Sequence, residues 1–275
     1  MPRLLPRWPT PWIARLTAPG GPPVTRLVQS AGAEVMAIPG RYCVTYLLLG
    51  EGTIAIVDVG SHADVARVLA ALEWLGRPAS QVRFVIPSHL HFDHVMGIDA
   101  LAKRIGAPIA LGRVASEHVR EGRELRWPSI HQLPRGTVTW IYQGMPVLPV
   151  DDWRHGIDFG MPWGKDRFTA PLGEVLVHGG ELSGLPGWRV LEAPGHADEA
   201  LCLHHAEAGF LVAGDNVRNF LGGEWNPILC DRAAYARTRE QLLGLNVSTV
   251  FPGHGPLLEG KGILRRLRTI PPYLT

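Results

Sequence analysis

The chain has 275 residues, of which 46 % are hydrophobic and 19 % charged, and its 27 Lys and Arg nearly balance 25 Asp and Glu for a net charge of +2. That balance supports a packed core and excludes both a disordered chain and a strongly cationic nucleic-acid binder. No apolar run approaches the roughly 20 residues of a membrane span, and the three cysteines (Cys43, Cys202, Cys230) form no CxxC pair, which suits a reducing, cytoplasmic setting.

Residues 1–32 read as a Pro-rich arm carrying Arg3, Arg7, Arg15 and Arg26. Trp8, Trp12 and Ile13 suit packing on the domain surface or on a second subunit, so a homodimer is an open expectation. Three short strands follow, AEVMAIP, RYCVTYLLL and TIAIVDVG, separated by the turn residues Pro39-Gly40 and Gly50-Glu51-Gly52. Val65, Val68, Leu69, Leu72 and Leu75 recur at helical spacing, which predicts a helix over about 62–76 ended by Gly76. The strand VRFVIP runs into Ser88-His89-Leu90-His91-Phe92-Asp93-His94, followed by a helix near 97–105 and a strand at PIALG.

Residues of about 120–185 form an insertion rich in Trp, Gly and Pro, with near-balanced charge. Loops of this length in compact domains usually serve as binding elements or cover a sheet edge. Beyond it, WRVLEAP, ALCLHH and GFLVAGD read as strands, 231–244 as an amphipathic helix, VSTVFPG as a last strand and 262–269 as a short basic helix. Two strand-rich halves with helices predict one domain in which two sheets pack face to face, helices outside.

The cluster His89-x-His91-x-Asp93-His94 carries the chemistry. On an extended strand-to-loop segment His89 and His91 point the same way, while Asp93 and His94 project from the following turn. His196, Asp215 and His254 each end an apolar run beside glycine, where ligands can converge. His89, His91 and His196 fit an open three-ligand metal site with room for water. Asp93, His94 and His254 make a second such site, and the two oxygens of Asp215 can bridge both.

In this motif set the chain resembles the metallo-β-lactamase superfamily, over about residues 33–118 and 186–256. The resemblance implies a four-layer αβ/βα sandwich of two mixed sheets. It also gives Asp58, at the end of IAIVDVG, the role of orienting the metal loop through hydrogen bonds. It implies two divalent metals, zinc by default with iron or manganese also compatible, and a metal-bridging hydroxide whose proton Asp93 shuttles. The aromatic insertion favours a small acyl substrate (a carboxylic ester, thioester or lactone) over nucleic acid. Phosphodiesterase and mononuclear-iron persulfide dioxygenase chemistries are the alternatives on the same fold. Arg218 stands where related lactonases place Tyr, and only 21 residues follow His254, too few for the helical domain of glyoxalase II.

Overall fold

The computed structural model describes residues 25–132, 152, 160–162, 166–220 and 222–270. The first sheet holds seven strands in the order of the chain: β1 (Arg26–Ser30), β2 (Ala33–Pro39), β3 (Val44–Leu49), β4 (Ile54–Val57), β5 (Val82–Ile86), β6 (Ile109–Gly112) and β7 (Leu172–Leu176). Its first four strands are antiparallel; β4 to β7 pair in parallel through helical crossovers. The crossovers are α1 (His62–Leu75), the single turn α2 (Phe92–Val95) leading to α3 (Ile98–Ile105), and α4 (Arg113–Glu121). The Ser61 hydroxyl caps α1 by accepting from the Ala63 N–H, and Gly76 closes it in the left-handed conformation.

The second sheet is centred on the long strand β10 (Phe210–Asn219). One side of β10 pairs in parallel with β12 (Thr249–His254). Its other side pairs first with β9 (Leu201–His205), itself paired to β8 (Trp188–Glu192), and further along with β11 (Gly223–Trp225). The short strands β13 (Leu258–Glu259) and β14 (Arg268–Thr269) complete the sheet, with α5 (Arg232–Leu243) and α6 (Ile263–Arg266) on its outer face.

Alternation along the strands explains the layering. Tyr46, Leu48, Val57, Phe84 and Ile86 from one sheet meet Trp188, Val190, Leu203, Phe210 and Phe251 from the other in a central core. The opposite faces are covered by helices: Met36, Leu47, Ile56 and Val85 pack on α1 and α3, while Leu211, Val217 and Val250 pack with Tyr235 of α5 and Leu264 of α6. This is the expected sandwich of two mixed sheets with helices outside.

Several element boundaries differ from the sequence reading. The end of the expected N-terminal arm is the edge strand β1, whose Arg26 forms a two-pronged ion pair with Glu259 of β13. The expected strand ending at Asp215 continues to Asn219, because its second half finds a new partner in β11. The expected basic helix at 262–269 is one turn, Ile263–Arg266, before the chain turns extended as β14. The insertion contributes β7 to the first sheet. Residues 1–24 of the arm, and Trp140, Trp153 and Trp163 of the insertion, lie outside the described residues. Among the described residues no helix is long and apolar enough to cross a membrane.

Candidate metal centre

Asp58, immediately after β4, has φ 60°, a left-handed conformation that Asp tolerates better than most residues. The turn directs its carboxylate into the loop after β5. There it accepts from the Ser88 N–H (2.6 Å), the Ser88 hydroxyl (2.8 Å) and His94 Nδ1 (2.9 Å). Backbone bonds from Val59 N to His94 O (2.9 Å) and from Gly97 N to Val59 O (2.8 Å) clamp the same two segments. The histidine-rich loop is thus held at the C-terminal ends of β4 and β5.

The second sheet supplies the other side. A register irregularity between Val212 and Arg218 accompanies the presentation of Asp215, next to β12 with His254 at its end. Gly253 allows the close approach, since a Cβ there would collide with Asp215 Oδ1. His196 lies on the loop between β8 and β9. All seven residues singled out in the sequence are brought to one place, with Asp58 directly behind them.

Ligand atoms of His89, His91 and His196 lie within 4.8 Å of one another, as do those of Asp93, His94 and His254, and those of His89, His94 and Asp215. Asp215 reaches toward both triads: Oδ2 is 3.6 Å from His196 Nε2 and 3.3 Å from His254 Nε2, and Oδ1 is 3.3 Å from His94 Nε2. Asp93 Oδ2 is 3.3 Å from His254 Nε2.

The partners behind the rings fix the tautomers. A carbonyl oxygen can only accept, so Nδ1 of His196 donates to Ile228 O (2.7 Å) and Nδ1 of His254 donates to Tyr42 O (2.9 Å). Nδ1 of His94 donates to Asp58, and Ser88 Oγ, whose own proton goes to Asp58, is free to accept from His89 Nδ1 at 3.1 Å. Each of these four imidazoles therefore turns Nε2 toward the common centre. Nε2 of His89 and Nε2 of His196 are buried without a hydrogen-bond partner among the described residues. A buried polar atom left so is costly, and three convergent imidazoles beside carboxylates are the donor set of a divalent cation. The residues fit such an ion.

The charge distribution divides the cluster. Burial, reinforced by His94, His91 and His196, holds His89 well below the ordinary histidine range; burial and then His196 push His91 down to about 3, and burial also lowers His196. On the other side burial also works downward, yet Asp58, Asp215 and Asp93 hold His94 well above its ordinary value. The same opposition, led by Asp215 against burial, raises His254 to about 9. Burial would raise Asp215, but His254 and His94 keep it well below the carboxylate range. The three-histidine half is thus made of neutral imidazoles, and the other half of imidazole–carboxylate pairs.

Some contributors carry no motif in the sequence. The ring of Trp127, at the start of the insertion, lies 5.1 Å from that of His91 at a 31° tilt. Asn226 donates to the Asp215 carbonyl at 2.7 Å, and its Asn-Pro dipeptide advertises only a turn. The carbonyls of Tyr42 and Ile228 have no side-chain signature at all. His204 and His205 lie within β9, away from the centre; His205 packs on Trp188.

The chain is similar to known proteins in sequence and in fold. The family model described as the metallo-beta-lactamase superfamily matches residues 38–254. The chain is similar to the "Probable metallo-hydrolase YqjP" of Bacillus subtilis, with 35 % identity over 77 % of this chain and 66 % of the relative, so it spans about two thirds of that protein's length. A shorter match, 36 % identical over 66 residues, covers 24 % of this chain and 23 % of a hydroxyacylglutathione hydrolase of Rhodobacter capsulatus. Among solved structures, the metallo-beta-lactamase family protein TTHA1429 of Thermus thermophilus superimposes with a TM-score of 0.56 at 23 % identity, over 86 % of this chain and 76 % of that one. With the family model spanning most of the chain and both sheets, this chain belongs to the metallo-β-lactamase superfamily.

Proposed function

We propose that the centre holds two divalent cations, zinc by donor type, and that the protein hydrolyses a carboxylic ester, thioester or lactone of a small acyl compound. The observation that carries this reading is the position of Asp215 between two triads of potential ligands, with one oxygen or the other within 3.6 Å of a histidine in each. His89, His91 and His196 would hold one ion, Asp93, His94 and His254 the other, with Asp215 shared. Two such ions, when bound, supply Lewis acidity that lowers the pKa of water and polarises a carbonyl.

The chain's own groups have defined tasks. Nδ1–H donation to Asp58, Ile228 O and Tyr42 O keeps Nε2 of His94, His196 and His254 oriented toward the centre. Asp93, buried beside His254, is placed to orient the attacking water and take its proton. Trp127, tilted against the His91 ring and only partly buried, offers an apolar surface for the acyl group. The hydroxyacylglutathione hydrolase match adds weight to a thioester.

A matched panel tests the proposal: an acyl thioester, an acyl lactone and a phosphodiester, each with zinc-loaded native protein and with His91→Ala. Metal-dependent cleavage of an acyl substrate, lost in His91→Ala, is expected. Cleavage of the phosphodiester alone would overturn the acyl assignment.

A further inference from the structure

Glu199 is 4 % exposed, yet it is an acid and stands three residues beyond His196. Its Oε1 accepts from the backbone N–H of Leu90 at 2.9 Å. Leu90 is the residue between His89 and His91, and its fully buried side chain packs in the core beneath the helices. The bond therefore joins the loop carrying His196 to the loop carrying the other two histidines of the triad. A second tie, Leu201 N to Ser88 O at 2.7 Å, crosses the same gap. On its other side Glu199 borders a cavity of about 230 Å³, lined also by Arg113, Arg126 and Asp198. Arg126 of that wall is already engaged by Asp198 and Asp231, and Arg113 by Glu192 and Glu117.

We propose that Glu199 is a positioning residue, which sets the spacing of His89 and His91 against His196 by accepting from the Leu90 N–H. The inference rests on the reading of those three histidines as metal ligands. A buried peptide N–H between two ligands must have an acceptor, and backbone pairing is unavailable where the strand ends and the loop turns out toward the centre. A side chain reaching across from the opposite loop meets that need and fixes the distance between the loops at once. The requirement is for an acceptor rather than a charge: burial pushes the Glu199 carboxyl up to about 7, and the Leu90 N–H only partly offsets it. Gln presents the same oxygen and should substitute; Leu, of similar volume, fills the site without an acceptor.

The test is titration of the metal-free full-length protein with Co²⁺, followed by equilibrium dialysis and visible absorption. Native protein, Glu199→Gln, Glu199→Leu and His91→Ala are compared, with the thermal midpoint of each metal-free form recorded. Glu199→Gln should bind as native, whereas Glu199→Leu should lose about 10–100-fold in affinity for one metal equivalent with an altered absorption band. Native affinity and spectrum in a folded Glu199→Leu would overturn the proposal. If Glu199→Leu does not fold, Glu199→Gln decides: a loss like that of His91→Ala would overturn it, and native binding would support it. Should His91→Ala bind Co²⁺ as native does, the ligand reading itself fails, an outcome distinct from failure at Glu199 alone.

Discussion

Asp58 governs the proton of an imidazole without facing the centre itself. Its two oxygens take three donors, two from Ser88 and one from His94 Nδ1, so a His94 ring that gives up one proton keeps the other on Nδ1 and leaves Nε2 bare for a cation. Replacing one oxygen by an amide inverts this arrangement. In Asp58→Asn the NH2 group faces His94 Nδ1, which must then accept, so the neutral ring carries its proton on Nε2, where a cation would bind. We expect a fold preserved by the near-identical shape and a metal affinity reduced about 10–100-fold, measured by equilibrium dialysis. Unchanged affinity would mean that Asp58 serves only to close its turn. At this scale the sequence was most legible where chemistry depends on side chains at fixed spacing: His89, His91, Asp93 and His94 lie on six consecutive residues, and His196, Asp215 and His254 each follow an apolar run. It was silent wherever the partner is a peptide group, as with Ile228 O and Tyr42 O. Glu199 left a trace, an acid just before the apolar run ALCLHH, but its partner 109 positions away did not.

Among elements, the central strands were readable because both of their faces are buried, and β3, β4 and β6 are buried at every position. The edges were not. In β1 two of the five residues are exposed and none is fully buried, and β7 buries only Leu176, so neither shows the dense β-branched pattern of an interior strand. Helix α4, RVASEHVRE, escaped for the same reason, burying only Ala115 and Ser116. A single carboxylate anchors the segment of the insertion that leads into β7. Asp99 of α3 accepts from Thr169 N, Thr169 Oγ1 and Ala170 N, all at 2.7 Å, just before β7 begins. Burial alone would raise its pKa, but these donors and Lys103 outweigh it and hold the carboxyl below its ordinary 3.8. An acid with a depressed folded-state pKa adds stability above its unfolded value and loses it as pH falls through the folded one. Asp99→Ala should therefore lower the thermal midpoint at neutral pH, and the gap to native protein should close as pH drops below 3.8. A gap that stays constant through that range would assign the effect to packing instead.

For the molecule as a whole, the consequential fact is that the proposed ligands are divided between the two sheets. His89, His91, Asp93 and His94 follow β5 of the first sheet; His196, Asp215 and His254 belong to the second. Their separation is set by the core between the sheets, where the Tyr46 hydroxyl donates to Pro252 O at 2.6 Å and its ring meets Phe251 edge-on, centroids 5.5 Å apart. Both contacts lie within three residues of His254. A cation bound by both halves cannot be retained when the sheets part, so binding adds directly to the free energy of unfolding, by about 4 kcal/mol at a free concentration 1,000 times Kd. Zinc-loaded protein should accordingly melt well above the chelator-treated form. Phe251→Ala, expected to cost about 3–5 kcal/mol through the cavity it leaves, should also reduce the gain from zinc, because a relaxed core no longer holds the two ligand sets at one distance. Tyr46→Phe keeps the ring and loses only the hydrogen bond, costing about 1 kcal/mol and leaving most of the zinc gain in place. Calorimetry of the three proteins with and without zinc measures both quantities. If the zinc gain is equal in all three, the inter-sheet core is not what spaces the ligands, and the loops alone, tied through Asp58 and Glu199, must hold them.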